Sequence, residues 1–208
     1  MDLPARTVER LSKYRRMLSK YDSIDGAHIY SHDLARLLNL TPVQVRRDLM
    51  LLGLSGNHRK GYNIKELILL IGKVIDDELG RNIAVVGMGN LGRAITAFIH
   101  KAETKLHIVA TFDVDPQKIH TEESGVPCYS IGEIRKMVRE LSISMAVLTV
   151  PPAVAAEVTD IIVLAGVKGI LNFTSVHLDV PKHVYLKDYD IITSLEEIGF
   201  FIKDKSNL

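Results

Sequence analysis

Three glycines in the middle of the chain have the spacing of a nucleotide-binding turn. Gly87, Gly89 and Gly92 stand in the order G-x-G-x-x-G directly after four apolar residues that are typical of a buried strand. Gly87 permits a tight turn, Gly89 lets the backbone approach a pyrophosphate, and Gly92 lets a helix pack closely on the strand. Backbone amides and the helix dipole would then point at the phosphates. A tight strand-to-helix turn that binds nothing is the alternative.

A carboxylate stands where the next strand is expected to end. Asp113 follows the apolar run Leu106–Phe112 and lies 21 residues after Gly92. A carboxylate at this place accepts hydrogen bonds from the hydroxyls of an adenosine ribose and repels a 2′-phosphate. No arginine follows Asp113 to receive such a phosphate. The sequence therefore predicts NADH and NAD⁺ as ligands, and an aspartate that only forms a turn is the alternative.

Two further stretches follow later strands, at the edge where open parallel sheets bind ligands. They are Thr149–Pro152 and Asn172–Phe173. Ordinary loop chemistry explains both stretches equally well.

A helix in the first third of the chain has the chemistry of DNA recognition. Thr41 can cap it and Pro42 suits its first position, where a missing N–H costs nothing. We expect this helix to reach about Leu52, to turn Val45, Leu49 and Leu52 inward, and to leave Gln44, Arg46, Arg47 and Asp48 on its other faces. Arginine can contact guanine through two hydrogen bonds, and glutamine can contact adenine in the same way.

The expected DNA contacts extend beyond that helix. Hydroxyl and lysine side chains suit phosphates, and a basic hairpin tip suits a narrow minor groove. The residues that we expect at the DNA are Ser31, Thr41, Gln44, Arg46, Arg47, Asn57, His58, Arg59 and Lys60. A solvated face on a protein-binding module is the alternative.

The periodicity of apolar residues supplies the elements that must hold these groups. Helical spacing predicts a helix over residues 5–21, a short helix capped by Ser31, the helix from Thr41 and a helix over 64–79 ended by Gly80. Between the last two, Gly56 and Gly61 at the bends predict a short hairpin over 54–62. This order is that of a winged helix-turn-helix domain. Beyond residue 80, short apolar strands at 83–86, 106–112, 146–150 and 169–173 alternate with helices, which predicts a Rossmann-like, doubly wound parallel sheet. The fold class is therefore α/β.

Charge is distributed unevenly along the chain. Residues 1–60 hold eleven Lys and Arg against six Asp and Glu, whereas residues 61–208 hold fifteen against nineteen. A basic N-terminal part attracts a phosphate backbone, although solvated domains without nucleic-acid partners reach the same charge.

Cysteine usage and hydropathy indicate the compartment. Cys128 is the only cysteine, so an intrachain disulfide and a multi-cysteine zinc site are excluded. No apolar run approaches the roughly 20 residues that span a bilayer. The first 20 residues carry charge throughout, unlike a signal peptide. We therefore expect a cytoplasmic protein with no membrane and no metal partner.

Six motifs, in their order along the chain, resemble the bacterial Rex redox-sensing repressors. They are Val45–Leu49, Lys60–Tyr62, Gly87–Gly92, Phe112–Asp113, Leu148–Pro151 and Gly169–Phe173. The resemblance covers nearly the whole chain. It implies a homodimer, not an enzyme, that binds a palindromic operator in double-stranded DNA when NADH is scarce and leaves it when the NADH/NAD⁺ ratio rises. It also implies that a C-terminal helix is exchanged between subunits.

The motifs and the resemblance together give the expected cofactor residues and domains. The residues are Gly87, Met88, Gly89, Asn90, Leu91, Gly92, Phe98, Asp113, Val114, Thr149, Val150, Pro151, Asn172 and Phe173. The expected domains are a winged-helix DNA-binding domain over 1–79, an NAD(H)-binding Rossmann domain over 80–193 and a C-terminal dimerisation helix, exchanged between subunits, over 194–208. The sequence departs from the family pattern at His120 and Ser175, where glycine and proline are usual, at Phe98, where some members have tyrosine, and in a wing with fewer glycines.

The last helix is expected to begin at Ser194, because Ser194–Glu197 has the pattern of a capping box. Ile198, Phe201 and Ile202 on this helix are too apolar to be left in water. The helix either packs on its own domain or, as the resemblance implies, between the two domains of a partner subunit.

Two other classes of protein stay open from the residues alone. An NAD-dependent oxidoreductase needs a substrate domain and a positioned acid or base, and residues 81–208 barely complete one nucleotide-binding domain. Five histidines of that part, His100, His107, His120, His177 and His183, are candidates only by residue type. The other class is a regulator whose nucleotide-binding domain serves only as a dimerisation scaffold.

Overall fold

A computed structural model describes residues 3–22, 24, 26–54, 60–77, 80–102 and 104–203. The chain divides into two compact units, Met1–Glu78 and Leu79–Leu208. None of the helices within the described residues has the length and apolar character needed to cross a membrane.

The described part of the first unit is mainly helical. Helix α1 spans Ala5–Leu18 and is followed by a 3-10 turn over Ser19–Tyr21, α2 spans Ser31–Leu37, α3 spans Pro42–Leu51 and α4 spans Ile64–Ile75. Two short strands, β1 (His28–Ile29) and β2 (Tyr62–Asn63), pair antiparallel. The core of the unit is formed by apolar side chains of all four helices: Leu11, Tyr14, Leu18, Leu34, Val45, Leu49, Leu67 and Ile71.

Local signals fix the beginnings of two of these helices. The Thr41 hydroxyl accepts a hydrogen bond from the Gln44 N–H, with Pro42 in the first turn, as the sequence predicts. The Asn63 side chain accepts from the Glu66 N–H in the same way at the start of α4.

Two expectations for this unit need correction, and a third is not tested. Ser31 does not cap α2, because the helix begins at Ser31 and the cap position is Tyr30. Helix α4 ends at Ile75, before Leu79, because Asp76 already has extended backbone angles. The hairpin expected over 54–62 lies partly outside the described residues and stays a prediction; within them, Tyr62 pairs with Ile29.

The second unit is built on a seven-stranded sheet. Its strands are β3 (Arg81–Val86), β4 (Leu106–Asp113), β5 (Glu122–Glu123), β6 (Val126–Ser130), β7 (Ile143–Leu148), β8 (Gly169–Asn172) and β9 (Tyr185–Asp188). Their order across the sheet is β5-β6-β4-β3-β7-β8-β9, and every neighbouring pair except β5 with β6 is parallel. β3 therefore lies in the centre, with the chain winding outward from it in both directions. This is the predicted doubly wound topology.

Helices α5 (Asn90–His100), α6 (Ile134–Glu140), α7 (Ala155–Ala165) and α8 (Ile191–Lys203) accompany the sheet. Two buried clusters pack on it. The larger includes Phe112, Leu148 and Ile162, and the smaller includes Val85, Met88 and Cys128. Strands β5, β6 and β9 are not among the strands expected from the sequence.

Helix α8 begins earlier than the capping box predicts. The Asp190 carboxylate accepts from the backbone N–H of Ile192 and of Thr193, so Asp190 caps the helix. Ser194 lies one turn inside α8, where its hydroxyl donates to the Asp190 carbonyl. The expected start at Ser194 is therefore wrong by about one turn.

Candidate functional site

The glycine turn lies at the carboxyl end of the central strand β3. Gly87 has φ +99°, and a Cβ there would lie 2.8 Å from the Thr149 carbonyl carbon. A Cβ on Gly92 would overlap the Gly87 carbonyl oxygen, whereas nothing crowds Gly89. The first two glycine roles expected for a pyrophosphate turn, a left-handed bend and an open approach, thus have the required geometry, and Gly92 permits the close packing of α5.

Thr149 holds this turn from the neighbouring strand. Its hydroxyl lies 2.7 Å from the Gly87 carbonyl oxygen and 3.1 Å from that of Val86. Its backbone N–H also donates to the Val86 carbonyl. The hydroxyl therefore points beneath the turn and fixes the shape that a dinucleotide would meet.

Asp113 is almost completely buried, with 9% of its surface exposed, and four donors surround its carboxylate. The Met88 N–H donates to one oxygen at 2.8 Å, and the Lys118 ammonium lies 3.0 Å from the same oxygen. The N–H groups of Val114 and Asp115 donate to the other oxygen. The carboxylate thus joins the glycine turn to the loop that follows β4.

The protonation of Asp113 follows from these contacts. Burial alone would raise the pKa of Asp113, but hydrogen bonds from Asp115, Lys118 and Met88 outweigh burial and lower the pKa below its ordinary value. The side chain is therefore a carboxylate at neutral pH. A ribose diol must share or displace one of the four present donors to bind it, and Lys118 is the donor that a side-chain rotation can move.

A cavity of about 160 Å³ lies beside this carboxylate cluster. Met88, Arg93, Lys118 and Cys128 are among the residues that line it. Cys128 is buried, and burial raises the pKa of its thiol above the ordinary value. Such a thiol is a poor nucleophile. Within the described residues, no group of three or more potential metal ligands comes together.

The stretch after β8 is braced internally. Asn172 is buried, its amide nitrogen donates to the Val176 carbonyl and the Asp188 carboxylate, and its oxygen accepts from the Thr174 N–H and hydroxyl. The ring of Phe173 packs on that of Tyr189 with 5.1 Å between centroids. The structure thus gives Asn172 a role in holding the loop, and a ligand contact there stays a prediction.

Other expected cofactor residues lie at the surface of the second unit. The side chains of Phe98 and Val114 are largely exposed, at 75% and 73%. His120 and Ser175, two of the departures from the family pattern, have left-handed φ angles of 63° and 55°. That conformation favours glycine, so the substitution at His120 strains the backbone.

The basic residues of α3 form the candidate DNA surface of the first unit. Arg46 and Arg47 are exposed, as is Lys60. The Arg46 guanidinium lies 3.3 Å from the Ser31 hydroxyl, a contact that links α3 to the start of α2. Asn57, His58 and Arg59 lie outside the described residues.

Asp48 does not share that surface. Only 1% of its surface is exposed, and its carboxylate contacts Arg10, Tyr14 and Gln44. The expectation of an outward Asp48 is wrong, because residues 45, 48, 49 and 52 are spaced as one helix face. The same spacing could have revealed the buried position, whereas nothing in the sequence points to Arg10, Tyr14 or Lys118 as partners.

Helix α8 buries no residue against its own chain. Ile198, Phe200 and Phe201 expose 55%, 66% and 60% of their surfaces. Packing on its own domain, one of the two expectations for this helix, is therefore not observed.

Comparison with known families matches each part of the chain separately. Residues 2–49 match a family described as "Putative DNA-binding protein N-terminus", and residues 80–176 match one described as "CoA binding domain".

A relative from Pediococcus pentosaceus spans nearly the whole chain. It is named redox-sensing transcriptional repressor Rex and is 39% identical over 192 residues, which are 92% of this chain and 92% of the relative.

Solved structures of RSP, a Rex-family repressor, have the same fold. RSP itself superposes with a TM-score of 0.88 at 26% identity and covers 99% of this chain and 97% of its own. RSP in complex with β-NAD⁺ and operator DNA gives 0.87 at 26% identity, with 99% and 95% covered. RSP in complex with β-NADH gives 0.85 at 25% identity, with 99% and 97% covered. These likenesses confirm the predicted α/β architecture.

Proposed function

Since the chain belongs to the Rex family of redox-sensing transcriptional repressors, we propose that it binds operator DNA through α3 and leaves it when NADH occupies the glycine turn. The observation that carries this proposal is the Gly87–Gly92 turn closed by a buried Asp113 carboxylate, in one chain with an exposed pair of arginines on a capped helix. RSP, a relative of known structure, has been solved in complex with β-NAD⁺ and operator DNA and in complex with β-NADH.

The Rex family consists of transcriptional repressors, which answers the alternative of an NAD-dependent oxidoreductase. The nucleotide then acts as a signal and is not consumed. The protein partner of this chain is expected to be a second copy of the same chain, in a homodimer.

The preference for NADH over NADPH rests on Asp113. Its negative charge disfavours a 2′-phosphate on the adenosine ribose. Lys118 offsets part of that charge, because its ammonium lies 3.0 Å from the carboxylate. When a ribose diol displaces Lys118, the carboxylate presents its full charge to the 2′ position. We therefore expect discrimination against NADPH to depend on this displacement.

Release from DNA requires that the two DNA-binding domains of a homodimer be arranged differently when NADH is bound. Two recognition helices in a homodimer must match half-sites about one turn of DNA, or a multiple, apart. NADH can shift the equilibrium between two arrangements only by its difference in affinity for them. The exposed apolar residues of α8 suit an exchange of this helix with a second copy of the chain. Such an exchange would couple both NADH sites and both DNA-binding domains in one cooperative unit.

The test uses the duplex that the protein enriches from a randomised DNA library. Fluorescence anisotropy of this duplex is measured while NADH, NAD⁺ or NADPH is added. We expect NADH to release the DNA at the lowest concentration and NADPH to be ineffective. Tight DNA binding that persists at saturating NADH, with NADH binding verified by its fluorescence, contradicts the proposal.

A further inference from the structure

The buried Asp48 carboxylate of α3 lies at the centre of a cluster of hydrogen-bonded side chains in the first unit. Arg10 Nε lies 2.6 Å from Asp48 Oδ2, and Arg10 Nη2 lies 2.8 Å from Oδ1. The Tyr14 hydroxyl donates to Oδ2 at 2.7 Å, and the Gln44 amide nitrogen donates to Oδ1 at 2.9 Å. Three side chains from two helices thus donate four hydrogen bonds, which saturate one carboxylate.

The position of this cluster is unusual for an ion pair. Asp48 is 1% exposed and the Arg10 side chain 19%, and burial of such a pair carries a desolvation cost that good geometry only offsets. Apolar residues of similar volume would stabilise a core at least as well. A buried pair of this kind is better explained by the arrangement that it specifies than by stability.

The arrangement that it specifies includes the side chain of Gln44. The oxygen and the NH₂ group of a primary amide are similar in size and differ in that one accepts and the other donates hydrogen bonds. An isolated glutamine can therefore exchange the positions of these two groups by a rotation of its amide at little cost. Beside Asp48, however, the turned amide would place its oxygen against a carboxylate that has no hydrogen to donate. The carboxylate therefore fixes the amide nitrogen of Gln44 inward.

The backbone of Gln44 is fixed as well. Its N–H donates to the capping hydroxyl of Thr41, in the first turn of α3. First-turn residues of a recognition helix are those that reach base edges in the major groove. Gln44 thus has both its backbone and its amide held before any DNA arrives.

We propose that Asp48 is a positioning residue for base recognition, which orients the Gln44 amide so that Gln44 reads adenine at one position of each operator half-site. The amide oxygen accepts from adenine N6–H, and the second N–H of the same amide donates to adenine N7. Guanine presents an acceptor, O6, where adenine presents a donor, so the fixed amide rejects it. This inference rests on the proposed function, because it assigns a base to the same DNA surface.

The experiment compares the base preferences of four proteins in selection from a randomised duplex library. Wild type, Gln44→Ala, Asp48→Asn and Asp76→Asn are used as full-length chains. Asp76→Asn is the matched control, because Asp76 forms an equally short ion pair, 2.6 Å from Arg15, without contacting Gln44. Asparagine at 48 can donate to the Gln44 oxygen and so permits the turned amide.

We expect wild type and Asp76→Asn to enrich adenine at the same position of each half-site. Gln44→Ala and Asp48→Asn should lose that preference by about 5- to 150-fold, the range of one bidentate contact, and keep their preferences elsewhere. Asp48→Asn with the wild-type preference overturns the inference, as does Gln44→Ala with it. Loss at every position alike in Asp48→Asn also overturns it, since that result indicates only a damaged fold. Wild type that enriches no sequence overturns the proposed function itself.

A measurement on the wild-type protein keeps the inference testable if Asp48→Asn does not fold. Gln117, the only other glutamine of the chain, is exposed and serves as an internal reference. In NMR spectra at neutral pH, we expect the one Gln44 side-chain proton that donates to Asp48 to exchange with water at least about tenfold more slowly than the side-chain protons of Gln117. Equal exchange rates would show an unheld amide and would overturn the inference.

Discussion

Asp113 and Asp48 use the same buried carboxylate chemistry in two unlike units. Each accepts four hydrogen bonds, and in each case these bonds lower the pKa against the effect of burial. The importance of Asp113 follows from its spacing after the glycines, which is a local feature of the sequence. Its pairing with Lys118 was not predictable, since it depends on the path of the loop after β4.

Replacing Asp113 by alanine should weaken NADH binding and leave ligand-free DNA binding intact. Hydrogen bonds to charged groups contribute about 1.5 to 3 kcal/mol, so we expect the Kd for NADH to rise roughly 10- to 150-fold in a fluorescence titration. Asp115→Ala is the control, because its carboxylate lies within 3.7 Å of Lys118 but is half exposed. An unchanged NADH affinity in Asp113→Ala would exclude the assignment to the ribose.

The stability of the protein should fall in acid because of these carboxylates. A lowered folded-state pKa stabilises the fold above the unfolded value of about 3.9, and this contribution is lost as the pH falls through the folded pKa. We expect Tm, followed by circular dichroism, to drop steeply below about pH 4. Asp48→Asn should lower Tm at pH 7 and flatten the acid limb of its transition. If the decrease of Tm in acid is the same in Asp48→Asn as in the wild type, Asp48 does not contribute to the acid sensitivity of the fold.

At the level of elements, a helix or strand was predictable where neighbouring residues mark it clearly. Helix α3 was predictable because Thr41 and Pro42 define its start within two residues. Strand β6 was not, because it contains Pro127, which in sequence argues against a strand. Strand β9 has mostly polar or half-exposed residues, so no apolar run reveals it. For α8, Asp190 and Ser194 are both good caps one turn apart, and only the folded backbone selects Asp190.

The arginines of α3 provide the test at this scale. Arg46→Ala and Arg47→Ala should each weaken operator binding, by about 1 to 3 kcal/mol for a base contact or with a salt slope lower by about one for a phosphate contact. Arg36→Ala, on the exposed face of α2, is the matched control, because its side chain is 78% exposed and its guanidinium lies 3.7 Å from the Asp33 carboxylate of the same helix. Arg59→Ala and Lys60→Ala extend the series to the expected wing. Normal operator binding by all four variants at fixed salt would disprove the DNA surface.

At the scale of the whole molecule, the change of apolar period near residue 80 predicts two unlike architectures, and the comparisons confirm the resulting fold class. The family resemblance, and no single motif, indicated how the two are used together. The surface of α8 needed the structure, because a sequence can show that residues are apolar but cannot show that their own chain leaves them uncovered.

Removal of α8 should disconnect the ligand from the DNA. Because the helix begins at Ile191, the chain is ended after Asp190. We expect this truncation to abolish stable dimerisation in sedimentation experiments and NADH-controlled release in anisotropy experiments. In the full-length chain, operator DNA should weaken NADH binding by the factor by which NADH weakens DNA binding. A truncated protein that stays dimeric and still releases DNA on addition of NADH would refute the mechanism.

The burial of Cys128 bears on how reversible the response of such a sensor is. A thiol that is 2% exposed, with a raised pKa, is shielded from the oxidation steps by which exposed cysteines record peroxide. Covalent oxidation persists until an enzyme reverses it, whereas an occupied nucleotide site empties as soon as the free ligand is depleted. With its only thiol in the core, this protein is not expected to record oxidant exposure through cysteine, and we expect its response to follow the present nucleotide pool in both directions.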